Sequence, residues 1–176
     1  MKLQRYNPLQ VTLHWASAVL VLFSLVFGTL VLKHLPNDAL KTTPLRVHVI
    51  VGGVIGLLIV IRLIVRLAAP QPERASTGSL FLDRLAVFNH GAMYLGIIAM
   101  VSSGIAIAIQ SGLADVAFGH PGAKLPADFW QYPPRLVHAV LAKFLIVLIG
   151  LHFTAALFHQ FLRKDGLLSR MWFSRP

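Results

Sequence analysis

Four stretches of this chain are almost free of charge: Leu9 to Leu32, Val47 to Leu67, Leu85 to Ile109 and Leu136 to Leu162. Each has at least about 20 residues, enough to cross roughly 30 Å of hydrocarbon at about 1.5 Å per residue. Breakers separate them. Asn7-Pro8 opens the first, Ala68-Ala69-Pro70-Gln71-Pro72 ends the second, Ser111-Gly112 ends the third, and Tyr132-Pro133-Pro134 precedes the fourth. The pattern predicts an all-α integral membrane four-helix bundle in one domain over 1–176, with spans near 9–32, 47–67, 85–109 and 136–162. Neither an internal repeat nor a low-complexity tract interrupts it.

Composition strengthens this reading. Of 176 residues, 56% are hydrophobic and only 12% are charged. A soluble domain carries roughly 25% charged residues, whereas lipid-facing surface favours apolar side chains. The first run has a basic start in Lys2 and Arg5 but is too long for a secretory signal and lacks a small-residue cleavage site. It is expected to stay as a helix.

Charge adds direction. The net charge of +10 would suggest nucleic acid in a soluble protein, but here the basic residues flank apolar runs, so no nucleic-acid partner is expected. Lys2, Arg5, Arg62, Arg66, Arg74, Arg84, Arg163, Lys164, Arg170 and Arg175 lie at the termini or around the second connection. The first and third connections carry Lys33, Lys41, Arg46, Lys124 and Arg135. The positive-inside bias therefore predicts both termini in the cytoplasm. The longest connection, Gln110 to Arg135, holds Asp115, His120, Asp128 and Trp130 and is expected to cap the outer face.

The chemistry lies in the histidines. With no cysteine, iron–sulfur clusters, thiolate zinc sites, covalent haem attachment and catalytic thiols are excluded. Of eight histidines, His14, His48, His90, His138 and His152 fall within or at the ends of spans, and His159 lies near the end of the last. His34 and His120 are expected to be solvated loop residues. Ionisable groups within a membrane are costly and usually face the bundle interior. His138 and His152 are separated by fourteen residues, which brings the side chain to within about 40° of its starting direction after an axial shift of about 21 Å. Depth then predicts two pairs, His48 with His138 near the outer surface and His14 with His152 nearer the inner one. Each pair can hold a haem iron by both axial positions. Zinc is a weaker match, because all six acidic residues lie outside the spans or at their ends.

Small residues support a flat ring beside these helices: Gly52, Gly53 and Gly56 follow His48, while Gly150, Ala155 and Ala156 flank His152. Tight helix packing is the competing explanation. Arg46 and Arg135 sit just before His48 and His138, where they can bind haem propionates, steer an anion, or act as interfacial anchors. Arg62 and Arg66 either neutralise inner propionates or mark the inner boundary. His159, and after it His90, remain as candidates for a quinone site, since a quinone needs a proton with each electron. His159 also rivals His152 as a ligand, being seven residues further on and only about 20° away in direction. Trp15 and Tyr94 are read as packing residues, and Lys143, inside the last span, is left without a role.

The chain resembles the bacterial cytochrome b561 family. Arg5-Tyr6 and Leu13-His14-Trp15 carry the likeness in the first helix; His48, Gly52 and Arg62-Leu63 to Arg66-Leu67 carry it in the second. His90, Tyr94 and Ser103-Gly104 continue it, followed by His138, Gly150-Leu151-His152, Ala155-Ala156, His159 and Lys164-Asp165. The resemblance implies two non-covalent b haems with axial ligands at His14, His48, His138 and His152. It further implies electron exchange with a ubiquinone-type quinone in the bacterial inner membrane, and superoxide or a redox protein as the other partner. A superoxide:ubiquinone oxidoreductase is one such activity. The alternatives are a membrane-anchor subunit of a dehydrogenase or hydrogenase and, in another class, a histidine-lined transporter.

Overall fold

The computed structural model describes residues 5–73, 76–119 and 123–173. The expectations resting on Lys2, Arg74, His120 and Arg175 lie outside these residues. Among the described residues all regular structure is helical, and four helices are long and apolar enough to cross a membrane: Pro8–Leu32, Ala39–Ala68, Leu80–Gln110 and Pro133–Arg163.

Helix α1 (Pro8–Phe27) begins in a capping box. The Asn7 side chain accepts from Gln10 N while the Gln10 side chain accepts from Asn7 N, and Pro8 occupies the position that needs no amide donor. The helix continues as a π-helical turn, Gly28–Leu32. Thr29 Oγ1 donates to Leu25 O, drawing on a carbonyl of the regular ladder.

Helix α2 (Ala39–Ala68) starts earlier than the apolar run predicts, at the cap made by Asp38 on Leu40 N. Lys41, Thr42 and Thr43 conceal that start in a hydropathy reading, and Pro44 is accommodated early in the helix. Helix α3 (Leu80–Gln110) also begins ahead of its predicted boundary, at Leu80 instead of Leu85. The expected cap contains a short helix α4 (Leu113–Phe118), bounded by Gly112 and Gly119 at positive φ, and a 3-10 turn over Phe129–Gln131. Helix α5 (Pro133–Leu157) continues as a π-helical segment, Phe158–Arg163.

The helices form two close pairs, α1 with α2 and α3 with α5, joined along α2 and α3. By contrast, α5 makes no extended contact with α1 or α2. Two apolar clusters fill the axis. One lies at the capped end around Leu32, Leu45, Ile107, Leu113 and Phe129; the other lies at mid-depth around Val21, Ile55 and Ile59, with Val101 and Ile149 against them. Outward positions such as Leu57, Ile64, Leu95 and Val147 are apolar and exposed, as a lipid-facing surface requires.

Candidate functional site

The space between α5 and the α1–α2 pair is bridged by imidazoles at two levels. At the capped end His48 of α2 faces His138 of α5, with ring centroids 6.2 Å apart and planes at 73°. At the other end His14 of α1 faces His152 of α5, with centroids 6.3 Å apart and planes at 66°. The mid-depth cluster around Val21 and Ile55 lies between the two levels.

Local bonds orient the rings. Ser103 Oγ donates to Met100 O at 2.8 Å, so its lone pair receives the His138 Nδ1 proton across 3.0 Å. That leaves His138 Nε2 bare. Ser24 Oγ lies 3.3 Å from His48 Nδ1. A Cβ added to Gly28 or Gly104 would already touch the His48 or His138 ring at 3.4 Å, so a side chain larger than alanine at either position would crowd these imidazoles. The residues that follow His48 divide: a Cβ on Gly52 or Gly53 would meet nothing within 4 Å, whereas at Gly56 it would press on Val101 of α3 at 3.0 Å. Gly56 therefore serves helix packing.

The uncapped end is more crowded and more charged. Arg62 Nη2 lies 2.7 Å from His14 Nδ1 and Nη1 donates to Ser17 Oγ at 3.1 Å, with the guanidinium over the Tyr94 ring. His90 lies against His152 at 5.0 Å between centroids, with Nδ1 donating to Ala86 O. Trp15 packs edge-on to His14 and to Trp172 and donates from Nε1 to Met171 O, so the C-terminal segment straps this end. Nearby, Asn89 Nδ2 donates to Leu148 O, while Asn89 Oδ1 is buried without a partner.

The remaining expected site residues are dispersed. Arg46 Nε donates to Ala117 O in the cap, and Arg135 stacks over Trp130 at 4.5 Å. His159 is 7% exposed and bonds through Nδ1 to Asp165 Oδ2; its ring partner is Phe158. Lys143 and His34 are exposed.

This arrangement can be tested for a metal held by a planar macrocycle. With metal–imidazole bonds of about 2.0 Å, two rings clamping one metal from opposite sides have centres about 6.2–6.4 Å apart. Both pairs meet that separation. Among the described residues no three His, Asp or Glu side chains converge on a common metal position. Donors in twos, with small residues beside them, suit an iron whose four equatorial positions belong to a porphyrin. The His90–His152 contact is too close for a metal between the rings.

The family model for prokaryotic cytochrome b561 matches residues 5–174. This chain belongs to that family. Cytochromes b561 bind b-type haem, and the chain is a bacterial membrane cytochrome b of the electron-transfer class. It is 30% identical over 170 residues to a protein of Yersinia pestis named probable superoxide oxidase CybB, covering 96% of each chain. It is 31% identical to a cytochrome b562 of Cereibacter sphaeroides, over 94% of each chain. Cytochrome b561 homolog 2 of Escherichia coli is 29% identical, with 96% of this chain and 91% of that one aligned.

Sequence reasoning missed the roles of Gly28, Ser24 and Arg62 beside the rings. A signal existed for the first two, since both lie in the second half of the first span at the depth predicted for His48. For Arg62, the match in depth with His14 was available, but its azimuth was not.

Proposed function

We propose that this cytochrome holds two b haems, one between His48 and His138 and one between His14 and His152, and exchanges electrons with a ubiquinone-type quinone across the bacterial inner membrane. Two imidazole pairs of equal separation at two depths carry the reading. Both termini face the cytoplasm in this proposal, as the distribution of arginine and lysine supports. The capped end faces outward.

The haem irons, when bound, supply one-electron chemistry between two stable low-spin states. The protein residues supply the rest. Ser103 holds the His138 Nδ1 proton and so presents the opposite nitrogen as a ligand. The mid-depth apolar cluster keeps water and protons from following electrons between the levels. Arg46 and Arg135 add positive charge at the outer rim, where an anion approaches. His159, with His90 after it, lies at the inner level, where a quinone needs a proton donor.

The overall reaction proposed is superoxide:quinone oxidoreduction. Two superoxide anions give two molecules of oxygen, and a quinone takes the two electrons with two protons to become quinol. The name of the Yersinia relative, a probable superoxide oxidase, supports the choice of donor. Purified protein is expected to contain two haems per chain, show b-type reduced-minus-oxidised bands, and reduce a soluble ubiquinone analogue when superoxide is generated. A colourless preparation or one haem per chain would overturn the dihaem reading. Haem reduction by superoxide without quinol formation would remove the quinone.

A further inference from the structure

The end of α5 folds a carboxylate back onto a buried imidazole. The π-helical segment Phe158–Arg163 widens the last turns and contains His159. Lys164 then takes a left-handed conformation at φ 53°, reversing the chain, and Asp165 N bonds back to His159 O at 3.4 Å. This reversal brings Asp165 Oδ2 to 2.5 Å from His159 Nδ1. Asp165 Oδ1 accepts from Leu167 N at 3.1 Å, fixing the carboxylate plane.

The two groups differ in access. The His159 side chain is 9% exposed and that of Asp165 is 30% exposed. Arg163 Nε lies 3.6 Å from Asp165 Oδ2, while its remaining guanidinium nitrogens hold Thr77 O and Ser76 O ahead of α3. Asp83 of α3 faces the same corner and is occupied by Thr77 and Ser76. The His159–Asp165 bond and Arg163 thus tie α5 to the start of α3. His159 Nε2 has no hydrogen-bond partner among the described residues, and its ring neighbour is Phe158, whereas His14, His48, His90, His138 and His152 each lie beside another imidazole.

We infer that Asp165 and His159 form a carboxylate–imidazole couple that delivers the proton to quinone, with Asp165 as the positioning residue and His159 Nε2 as the donor. This rests on the quinone reading above and assigns a role to a residue outside it. A carboxylate accepts only, so Asp165 holds the His159 proton on Nδ1 and stabilises the ring when it is doubly protonated. The imidazolium Nε2–H then passes its proton to a quinone carbonyl oxygen as the electron arrives from the cytochrome. The ring returns to the neutral Nδ1–H form, and water at the exposed rim restores the Nε2 proton. Two such cycles supply the two protons of quinol, matched by two electrons.

The experiment uses purified haem-loaded protein, chemically reduced and freed of reductant, then reoxidised by a short-chain ubiquinone analogue between pH 6 and 9. Asp165→Asn and His159→Gln are expected to slow quinone reoxidation at least tenfold, with Asp165→Glu restoring most of the rate. Asp165→Asn should also change the pH profile. Reoxidation by ferricyanide, which takes no proton, should stay at the wild-type rate in all variants. In the diamagnetic reduced protein, ¹⁵N spectra of the His159 ring should lose the Nδ1–H signature in Asp165→Asn.

Wild-type quinone rates and pH profile in Asp165→Asn would overturn the couple. Equal slowing with quinone and ferricyanide would also overturn it, by assigning Asp165 to structure alone. Wild-type protein that ferricyanide reoxidises and quinone does not would remove the quinone reading itself, and the couple's role with it.

Discussion

The two imidazole pairs are nearly equal in separation and unlike in surroundings. At the capped end, hydroxyls of Ser24 and Ser103 meet His48 and His138, and Gly28 and Gly104 clear space for the rings. At the uncapped end His14 faces the cation Arg62, and a third imidazole, His90, lies on His152. A hydroxyl can donate or accept, so it adapts to whichever nitrogen is protonated. A guanidinium only donates. The geometry of an imidazole pair is therefore duplicated in this protein while its electrostatics are not, and under the proposed two-haem reading the two sites would differ in affinity for an electron.

Four predictions test that contrast. The largest effect is expected from removing a ring. Alanine at His48 or His138 should leave one haem per chain, retained at the uncapped end, and alanine at His14 or His152 should do the reverse. His90→Ala should retain two, and loss of a haem in that variant would merge the third imidazole with the ligand set. Haem quantified per chain, with spectra at low temperature to separate the two bands, makes the measurement.

Next comes space. Gly104→Val and Gly28→Val should displace the capped-end rings, because even a Cβ there would lie at 3.4 Å. The expected outcome is a several-fold loss of the capped-end haem with the other unaffected; equal loss of both would show a general packing defect.

Third is charge. A half-buried cation favours the reduced iron, so Arg62→Leu should lower the midpoint potential of the uncapped-end haem. A fall of roughly 30–60 mV corresponds to at most about a tenfold change in a one-electron equilibrium. Redox titration showing the shift at the capped-end haem instead would break the comparison.

The smallest effect concerns the strap and its turn. His159 hydrogen-bonds the Asp165 carboxylate and holds its pKa below the usual 3.8. A depressed folded value means that this stabilisation is complete above the usual value and is lost as pH falls through the lowered one. Proteolysis at the C-terminal turn should accelerate below about pH 4 in wild type, and Asp165→Asn should flatten that dependence. The capped end should be indifferent throughout.

Much of this contrast was legible along the chain, but unevenly. The apolar runs predicted four spans, and the structure moved mainly the starts of α2 and α3. Lys41 to Thr43 and the residues before Leu85 are polar or mixed enough to look like connections, yet Asp38 supplies a cap that starts a helix there. Gly56, read beside His48 as room for a flat ring, packs instead on Val101. His90 and His159 were both spare imidazoles at one depth in the sequence, with His159 placed ahead of His90 for the quinone site. One lies against His152 and the other is bound to Asp165.

Depth and register were determined by sequence alone. A helix advances about 1.5 Å and turns about 100° per residue whatever surrounds it, so fourteen residues placed His138 and His152 on one side of α5 at two levels. Which helices close on each other and which stay apart was decided only in three dimensions. That α5 keeps its distance from α1 and α2, that Arg62 reaches His14, and that Asp165 turns back to His159 all depend on azimuth, side-chain packing and one left-handed residue. Those are properties of contacts between segments, and no single segment carries them.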